Sequence, residues 1–496
     1  MDFPRAQPAA PRTPILRLLL ITALAVLVHG YHLGADDAAI YVPAIKKVAD
    51  PELYPFGSEF FLSHAHLSWF AEMVGYSARL TRLPADFTIF AWHLAGVFLL
   101  LLAAWRLAGA CFRDEAARWG GVALLAALLS VPVAGTALAI MDPYLTARSL
   151  STPATLFAIA CYVSDRRKEA LAWLLFTALI HPQMSVYAAV FLGCLALTRR
   201  LAGSSDHASA FGLAGIPFLF PFEPARGAAR EALFSRTYFF VFRWEWYEWI
   251  GVFAPLALLW WFSSIALQGV KPAMRTLARA LVPFGLLFTV AGVLVGIPAW
   301  LENYTRLQPM RAFHLVYVVF FVLVGGLIGE YALKRSVWRW VGLFLPLAAG
   351  MWLLQWSTFP ASPHVEWPGA RSANAWTSAF LWIREHTPKD AVFALDPNYM
   401  LRPGEDMHGF RAVAERSALA DLVKDSGAVS LFPQLADEWK RQTQAASGWE
   451  KFDLQDFRKL ATEYPVTWIL TSSPGPRGAV CPYQNQDIAV CRIDAR

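Results

Sequence analysis

The 496 residues of this chain are 56% hydrophobic, 14% aromatic and only 16% charged. Soluble domains carry roughly 25% charged residues, so the composition excludes a disordered chain and argues against a soluble enzyme. The net charge of +6 does not indicate nucleic-acid binding, because the basic residues fall at the ends of apolar runs and not on one patch.

Charge divides the chain into two parts. Residues 357–496 hold 15 Lys/Arg and 17 Asp/Glu, a charged density near that of soluble domains. Residues 1–356 hold 28 and 20 over more than twice the length. We therefore predict a polytopic α-helical transmembrane domain over 1–356 and a soluble α/β domain over 357–496.

Eleven apolar runs predict the membrane-spanning segments. The first follows Arg5, Arg12 and Arg17 and has no small-residue cleavage site at its end, so we interpret it as an uncleaved span. A straight span needs about 20 residues, so the shorter runs must be half-buried helices or be extended by their flanks. The runs cover residues 15–28, 87–105, 119–140, 150–163, 170–181, 184–198, 209–222, 249–267, 280–297, 313–329 and 337–356.

The distribution of Lys and Arg predicts the orientation. With a cytoplasmic N-terminus, 17 of the 28 positive charges of the membrane part fall in cytoplasmic segments and 11 in outer loops. The positive-inside rule selects this orientation. Because eleven is odd, the C-terminal domain is expected to be extracytoplasmic.

Two outer loops are long. The loop over 34–86 contains an amphipathic stretch from Asp37 to Lys47 and a segment over 62–80 that suits the membrane interface. The loop over 223–248 is rich in Arg, Trp and Tyr, of which the aromatic residues suit the headgroup level.

The soluble part has mixed periodicity. Helical patterns over 373–385, 431–444 and 454–464 alternate with β-rich patterns over 391–395, 466–471 and 487–493. Cys481 and Cys491 flank a turn between two predicted strands, where they can form a disulfide in an oxidising compartment. No CxxC or His-rich spacing indicates a structural zinc site.

The strongest candidates for catalysis are Asp36 and Asp37, which directly follow the first span. Carboxylates beside hydrocarbon are costly and often functional. One of them can accept a proton from an acceptor hydroxyl during group transfer. Alternatively, one Asp caps a helix over 38–49, although two adjacent residues cannot both do so.

Three further polar residues stand at predicted outer ends. Asp142 and Arg148 either pair within a capped turn or form a wall of the same pocket. His181 breaks an apolar run, which is tolerated where it lines a cavity, or else it simply forms a tight turn.

The segment from Arg306 through Gln308 to Arg311 runs against the positive-inside bias. Arg binds phosphate in a bidentate manner, so we expect substrate binding here, with interfacial snorkelling as the alternative. The spacing of His64 and His66 suits metal ligands on a strand but not on a helix, so no metal site is predicted.

A first span followed by an acidic pair, many short outer segments and a C-terminal soluble domain resembles the GT-C superfamily of polytopic glycosyltransferases. The stretches that carry the resemblance are Gly34–Asp37, Leu179–Pro182 and Arg306–Arg311. Family 39 protein mannosyltransferases, which use polyprenyl-phosphate sugars, are similar examples. An uncharacterised bacterial branch shares the Asp-Asp pair and the Asp-Pro-Tyr-Leu-Thr-Ala-Arg pattern at 142–148. The Asp-x-Asp form of some members is absent, so no cofactor is expected, and a divalent metal is unsupported.

The resemblance implies a glycosyltransferase of the bacterial inner membrane. It implies a lipid-linked sugar donor that enters from the bilayer, and Asp36 or Asp37 as the base. Arg306, Arg311 and Arg148 would neutralise the leaving phosphate. The acceptor, a glycan, lipid or protein, would bind the soluble domain. The alternative is a non-enzymatic scaffold or transporter for envelope lipids or polymers, although the internal symmetry of many transporters is missing.

Overall fold

Apolar helices dominate the first 358 residues of the computed structural model, which describes residues 14–203, 222–265 and 268–493. The α-helices of this part are α1 (Ile15–His29), α2 (Ala38–Ala49), α3 (Glu59–Ala65), α4 (Phe70–Thr81), α5 (Ala85–Cys111), α6 (Glu115–Ala127), α7 (Arg148–Val163), α8 (Arg167–Ile180), α9 (Pro182–Leu201), α10 (Gly227–Phe234), α11 (Trp246–Ser264), α12 (Pro272–Gly296), α13 (Phe313–Leu327) and α14 (Val337–Thr358). Tighter and wider helical turns extend α13 into one stretch, Ala299–Leu333.

Five helical stretches among the described residues are long and apolar enough to cross a membrane. They are α5, α9, α12, Ala299–Leu333 and α14. Helix α1 is apolar but has only 15 residues. These lengths and compositions are those of a membrane protein. Residues 209–221 of the seventh predicted run, and Arg5 and Arg12, lie outside the described residues.

The predicted run over 119–140 is helical only as far as Ala127, the end of α6. The following residues form turns around Pro132 and Gly135. Proline lacks the N–H that a helix requires. A Cβ on Gly135 would lie 2.3 Å from the ring of Trp244, so the chain passes this ring at a position that only glycine fits.

Small residues allow α6 and α13 to pack closely. A Cβ on Gly120 would lie 2.2 Å from the carbonyl oxygen of Gly325, and one on Gly329 would lie 2.4 Å from that of Ala116. Such close helix approach through glycine is typical of membrane proteins. This packing fixes α13, and thereby the segment that precedes it.

Several helix ends that carry basic residues lie close together on one side of the helical part. Phe112 forms an isolated β-bridge with Val270. The Nζ of Lys271 donates to the carbonyl oxygen of Gly109 at 2.6 Å. Arg17, near the start of α1, lies 3.3 Å from Glu115 at the start of α6. The segments that the charge distribution assigns to one side therefore include three that are neighbours.

A small mixed sheet organises the C-terminal part. The strands are β1 (Val392–Ala394), β2 (Ser417–Ala418), β3 (Trp468–Ser472), β4 (Val480–Gln484) and β5 (Ile488–Arg492), in the order β2-β1-β3-β5-β4. Strand β1 is parallel to β2 and β3, whereas β5 is antiparallel to β3 and β4. The helices are α15 (Ala375–His386), α16 (Phe410–Ala414), α17 (Asp425–Leu431), α18 (Ala436–Ala445) and α19 (Leu454–Glu463).

The structure confirms the disulfide predicted from the cysteine spacing. Cys481 on β4 and Cys491 on β5 are joined with an S–S distance of 2.00 Å. Strand β4 is at the edge of the sheet, so the bond fastens the edge strand to its neighbour.

Both long loops of the membrane part pack on the C-terminal part. The 34–86 loop folds into α2, α3 and α4, and the Nζ of Lys46 on α2 lies 2.8 Å from Glu415. On α10, Glu231 lies 2.6 Å from Lys440. The two parts of the chain thus share an extended contact. Leu80, at the end of the segment predicted to lie at the membrane interface, is 86% exposed.

Candidate functional site

The acidic pair lies between α1 and α2, in contact with the C-terminal part. The N–H of Asp36 donates to the carbonyl oxygen of Met407 at 2.8 Å. Asp36 has φ of +50°, a left-handed conformation that is uncommon outside glycine and is often retained at functional sites. Asp37 occupies the N-cap position of α2, but its side chain makes no capping hydrogen bond. Helix capping, the alternative role, is therefore not realised.

Two cations neutralise these carboxylates. Lys424 forms an ion pair with Asp36, and its Nζ lies 3.2 Å from Oδ1 of Asp37. The Nη2 of Arg148 lies 3.3 Å from Oδ2 of Asp37 and 2.7 Å from Oδ2 of Asp142. Arg148 therefore makes the predicted turn pair with Asp142 and also contacts the acidic pair.

The loop that precedes α7 supplies two hydroxyl groups. Tyr144 donates from its hydroxyl to Oδ2 of Asp36 at 2.9 Å, and Thr146 donates to Oδ2 of Asp142 at 3.2 Å. The side chain of Asp36 remains 44% exposed, and that of Asp37 27%. Asp36 is thus oriented by its partners and is also open to a ligand.

The two carboxylates that contact Arg148, those of Asp37 and Asp142, have pKa values that are shifted in opposite directions. Burial raises the pKa of Asp37, but the charges of Lys424, Arg148 and Arg311 outweigh burial and hold that pKa well below its usual range. Burial raises the pKa of Asp142, and the neighbouring Asp37 raises it further against the opposing effect of Arg148. Asp37 is therefore a permanently charged element of the site at neutral pH.

A rigid loop positions Lys424. Oδ1 of Asp421 accepts hydrogen bonds from the backbone N–H groups of Val423 and Lys424, at 2.8 and 2.5 Å. Arg411 makes a bidentate pair with Asp425, the next residue, at 2.8 and 3.0 Å. No sequence signal indicates Lys424 as a site residue, because 387 positions separate it from Asp37.

Arg311 lies near the acidic pair with its guanidinium unpaired. Its charge acts on Asp37, His64 and His181. Within the described part of the chain, its side chain makes no hydrogen bond or ion pair, and its buried Nε has no partner. The ring of Tyr238 lies 5.7 Å from the guanidinium carbon. An arginine that has no ion pair among the described residues, and whose charge acts on Asp37, is available to an added anion.

The histidine at the break between α8 and α9 also faces this region. His181 interacts electrostatically with Arg148, His64 and Arg311. His64 is at the end of α3, where its ring packs edge-to-face on Tyr41. Burial lowers the pKa of His64 to about 4, so this imidazole is neutral at physiological pH. His66, the residue that follows α3, is exposed to solvent.

Arg306 and Gln308 are placed differently from Arg311. The carboxylate of Glu302 acts on Arg306, whereas Arg311 is among the main charges that lower the pKa of Asp37. Gln308 has φ of +48°, and its carbonyl oxygen accepts a hydrogen bond from the hydroxyl of Tyr187 at 2.9 Å. Gln308 therefore shapes the turn that leads to Arg311.

Glu245 and Glu248, which the sequence places among tryptophans of an outer loop, have a structural role. They form a reciprocal capping box at the start of α11, in which the N–H of Glu245 donates to Oε2 of Glu248 at 2.7 Å.

One known family matches part of the chain. Residues 374–446 match DUF6798, a domain of unknown function. This stretch runs from α15 to α18 and includes Lys424, so it contributes one cation of the site. No curated protein matches the chain.

Proposed function

We propose that this protein is a GT-C-like glycosyltransferase with eleven spans, which moves a sugar from a polyprenyl-phosphate donor to an extracytoplasmic hydroxyl. The observation that carries the proposal is the guanidinium of Arg311, which makes no hydrogen bond or ion pair within residues 14–203, 222–265 and 268–493 and whose charge acts on Asp37 of the acidic pair. A guanidinium suits phosphate, and a partly exposed carboxylate suits a hydroxyl that must lose its proton.

Asp36 is the better candidate for the base. It is the more exposed of the pair, and Tyr144 orients its Oδ2. Both carboxylates share Lys424, but Asp37 also has the cation Arg148, which further stabilises its charged form and makes it the poorer proton acceptor. In this assignment Asp37 positions the two cations, and Asp36 contacts the substrate.

In the proposed transfer, the sugar moves from the lipid phosphate to the acceptor oxygen. The acceptor O–H gives its proton to the carboxylate of Asp36, and the acceptor oxygen forms a bond to the anomeric carbon. The bond from that carbon to the phosphate oxygen breaks, and the lipid phosphate leaves with the electron pair. Arg311, with Lys424 as a second cation, stabilises the added negative charge on this leaving group.

The grouping of chain segments supports the proposed orientation. Arg17, Arg113 and Lys271 belong to segments that meet at one end of the helices. The disulfide between Cys481 and Cys491 requires an oxidising compartment for the C-terminal part. A reporter fused to the C-terminus should be active only in an extracytoplasmic format, and a cytoplasmic signal would contradict eleven spans.

A cavity of about 370 Å³ in the C-terminal part supports acceptor binding there. Trp376 and Trp449 line it together with Asp396, Arg402 and Glu450. Aromatic surfaces with a few fixed polar groups are typical of ligand sites, and they suit a sugar ring. A glycan is therefore the acceptor class that this cavity favours.

The test uses purified full-length protein, a panel of polyprenyl-phosphate sugars and a mixture of glycan acceptors. Sugar transfer that depends on the protein is expected for at least one donor. If no lipid-linked sugar binds at all, a non-enzymatic scaffold or transporter becomes the better account.

A further inference from the structure

Three side chains from distant parts of the sequence meet where the end of α1 contacts the C-terminal part. His32 follows α1, Glu366 follows α14, and His408 precedes α16. The Nδ1 of His32 lies 3.2 Å from Oε1 of Glu366, and the Nε2 of His408 lies 2.7 Å from the same oxygen. Both imidazoles are fully buried, and the carboxylate is 13% exposed. This His–Glu–His cluster is separate from the Asp36–Asp37 pair.

Hydrogen-bond accounting requires a positive charge in the cluster. The Nδ1 of His408 lies 3.0 Å from the backbone carbonyl oxygen of Glu405, which only accepts, so Nδ1 carries the hydrogen. In a neutral imidazole, Nε2 then presents a lone pair to the carboxylate oxygen of Glu366. Two lone pairs at 2.7 Å repel each other, so either a second proton or a metal ion must lie between them.

A further buried acidic side chain lies beside the cluster. Glu405 is fully buried, and its side chain forms no ion pair within the described ranges. The Nε2 of His32 is also buried and has no hydrogen-bond partner there. Two side chains at the cluster thus have buried polar atoms that lack a hydrogen-bond partner among the described residues.

The geometry suits a tetrahedral divalent ion. Zinc–nitrogen and zinc–oxygen distances near 2.0–2.2 Å place neighbouring ligand atoms about 3.3 Å apart. The three ligand atoms already lie within 4.8 Å of one another. The spacing of His32 Nδ1 and Glu366 Oε1 already fits, whereas the nitrogen of His408 must move away from that oxygen by about half an ångström and the two histidine nitrogens must approach each other by up to about 1.5 Å. Among the described residues, this is the only group of three or more His, Cys, Asp or Glu side chains whose ligand atoms lie this close together.

Surrounding contacts hold two of the three ligands, His408 and Glu366, in the manner typical of metal sites. Metal-bound histidines usually donate their other N–H to a carbonyl, as His408 does to Glu405. The second oxygen of Glu366 accepts from the backbone N–H of Leu33 at 3.1 Å, which leaves Oε1 for a metal. Backbone bridges join Tyr31 to Val365 and Ala35 to His408, so the ligands are on connected segments.

We propose that His32 Nδ1, Glu366 Oε1 and His408 Nε2 form a binding site for a divalent transition metal, with zinc as the best fit and a fourth position for water. Two imidazoles and one carboxylate are a ligand set that zinc uses in proteins. The metal fastens the C-terminal part to the end of α1. The sequence does not predict this site, because its ligands are 334 and 42 positions apart.

The experiment uses full-length protein in detergent, stripped with a chelator, dialysed against zinc and analysed by elemental mass spectrometry. One zinc per chain is expected, with a higher thermal midpoint than in the stripped protein. Glu366→Gln and His408→Ala should each lose most of the bound zinc and the thermal shift. The control, His386→Ala, changes an exposed histidine and should retain both.

Cobalt substitution keeps the proposal falsifiable if a variant fails to fold. Wild-type protein with cobalt should show the visible bands of a tetrahedral nitrogen–oxygen site without thiolate charge transfer. Thiolate bands would place the metal on the free cysteines, Cys111, Cys161 and Cys194, and would overturn the proposal. A wild-type protein that retains no metal would also overturn it, and would leave a proton-bridged cluster.

Discussion

The guanidinium of Arg311, which has no partner in the described part of the chain, leads to a specific prediction for donor binding. Arg311→Gln removes a cation that has no partner to leave behind in the described structure, so the free protein should remain folded. Arg148→Gln would be a poorer probe, since it strips both Asp37 and Asp142 of their cation. The effect of Arg311→Gln on affinity therefore reports the bound anion directly.

The magnitude follows from the lost contact. A hydrogen bond to a charged group contributes about 1.5–3 kcal/mol, which corresponds to a roughly 10- to 150-fold weaker dissociation constant for the donor. Arg311→Lys keeps the charge but loses the planar fork, so an intermediate loss is expected. Arg306→Gln is the matched control, because the charge of Glu302 acts on Arg306, whereas Arg311 acts on Asp37.

The assay is equilibrium binding of a labelled polyprenyl-phosphate sugar to full-length protein in lipid nanodiscs. Arg306→Gln should bind within about threefold of wild type, which is below the effect of one charged hydrogen bond. The reasoning is refuted if Arg311→Gln binds the donor as tightly as wild type, or if Arg306→Gln loses as much affinity.

Three stability predictions accompany this one. Lys424→Met should destabilise the fold by about 1–3 kcal/mol in thermal unfolding, because it leaves two carboxylates short of a cation. The control is Lys440→Met, which changes a more exposed lysine and should cost less than about 1 kcal/mol. Equal effects of the two variants would contradict this prediction. The double variant Cys481→Ala, Cys491→Ala should destabilise the C-terminal part by about 3 kcal/mol, seen as a lower denaturation midpoint than that of unreduced wild type, and an unchanged midpoint would count against it. Because the pKa of His64 is lowered in the folded protein, the unfolded chain binds an extra proton between about pH 4 and 6.5, and the free energy of unfolding falls as the pH falls through this window. His64→Gln should therefore lose less of its free energy of unfolding than wild type between pH 7 and pH 4.5, as measured by denaturation. The same loss in both proteins would refute the assignment.

Features that depend on neighbouring residues could be predicted from the sequence. The apolar runs that became α5, α9 and α12 have a strong local signal, and so do the strands β3 and β5. The run over 119–140 misled because mean hydropathy ignores the turns that Pro132 and Gly135 impose. The short strand β2 has two residues, too few for any periodicity.

The candidate site could be predicted only in part, for a similar reason. Asp37 and Arg148 stand out because charge beside hydrocarbon is costly, and the structure brings them within 3.3 Å of each other. Arg306 has the same local signal as Arg311 but a different neighbour, Glu302. Lys424 lies in a domain of ordinary soluble composition, where a lysine carries no signal until the two parts of the chain are docked.

The most direct test of the proposed chemistry compares Asp36→Asn and Asp37→Asn with wild type in sugar transfer and in donor binding. General-base catalysis contributes about 10²–10⁴-fold, and a base acts mainly in the transition state. Asp36→Asn should therefore lower turnover by that factor while the dissociation constant of the donor stays within a few-fold of wild type. Full transfer activity in both variants would contradict the assignment of the acidic pair to catalysis.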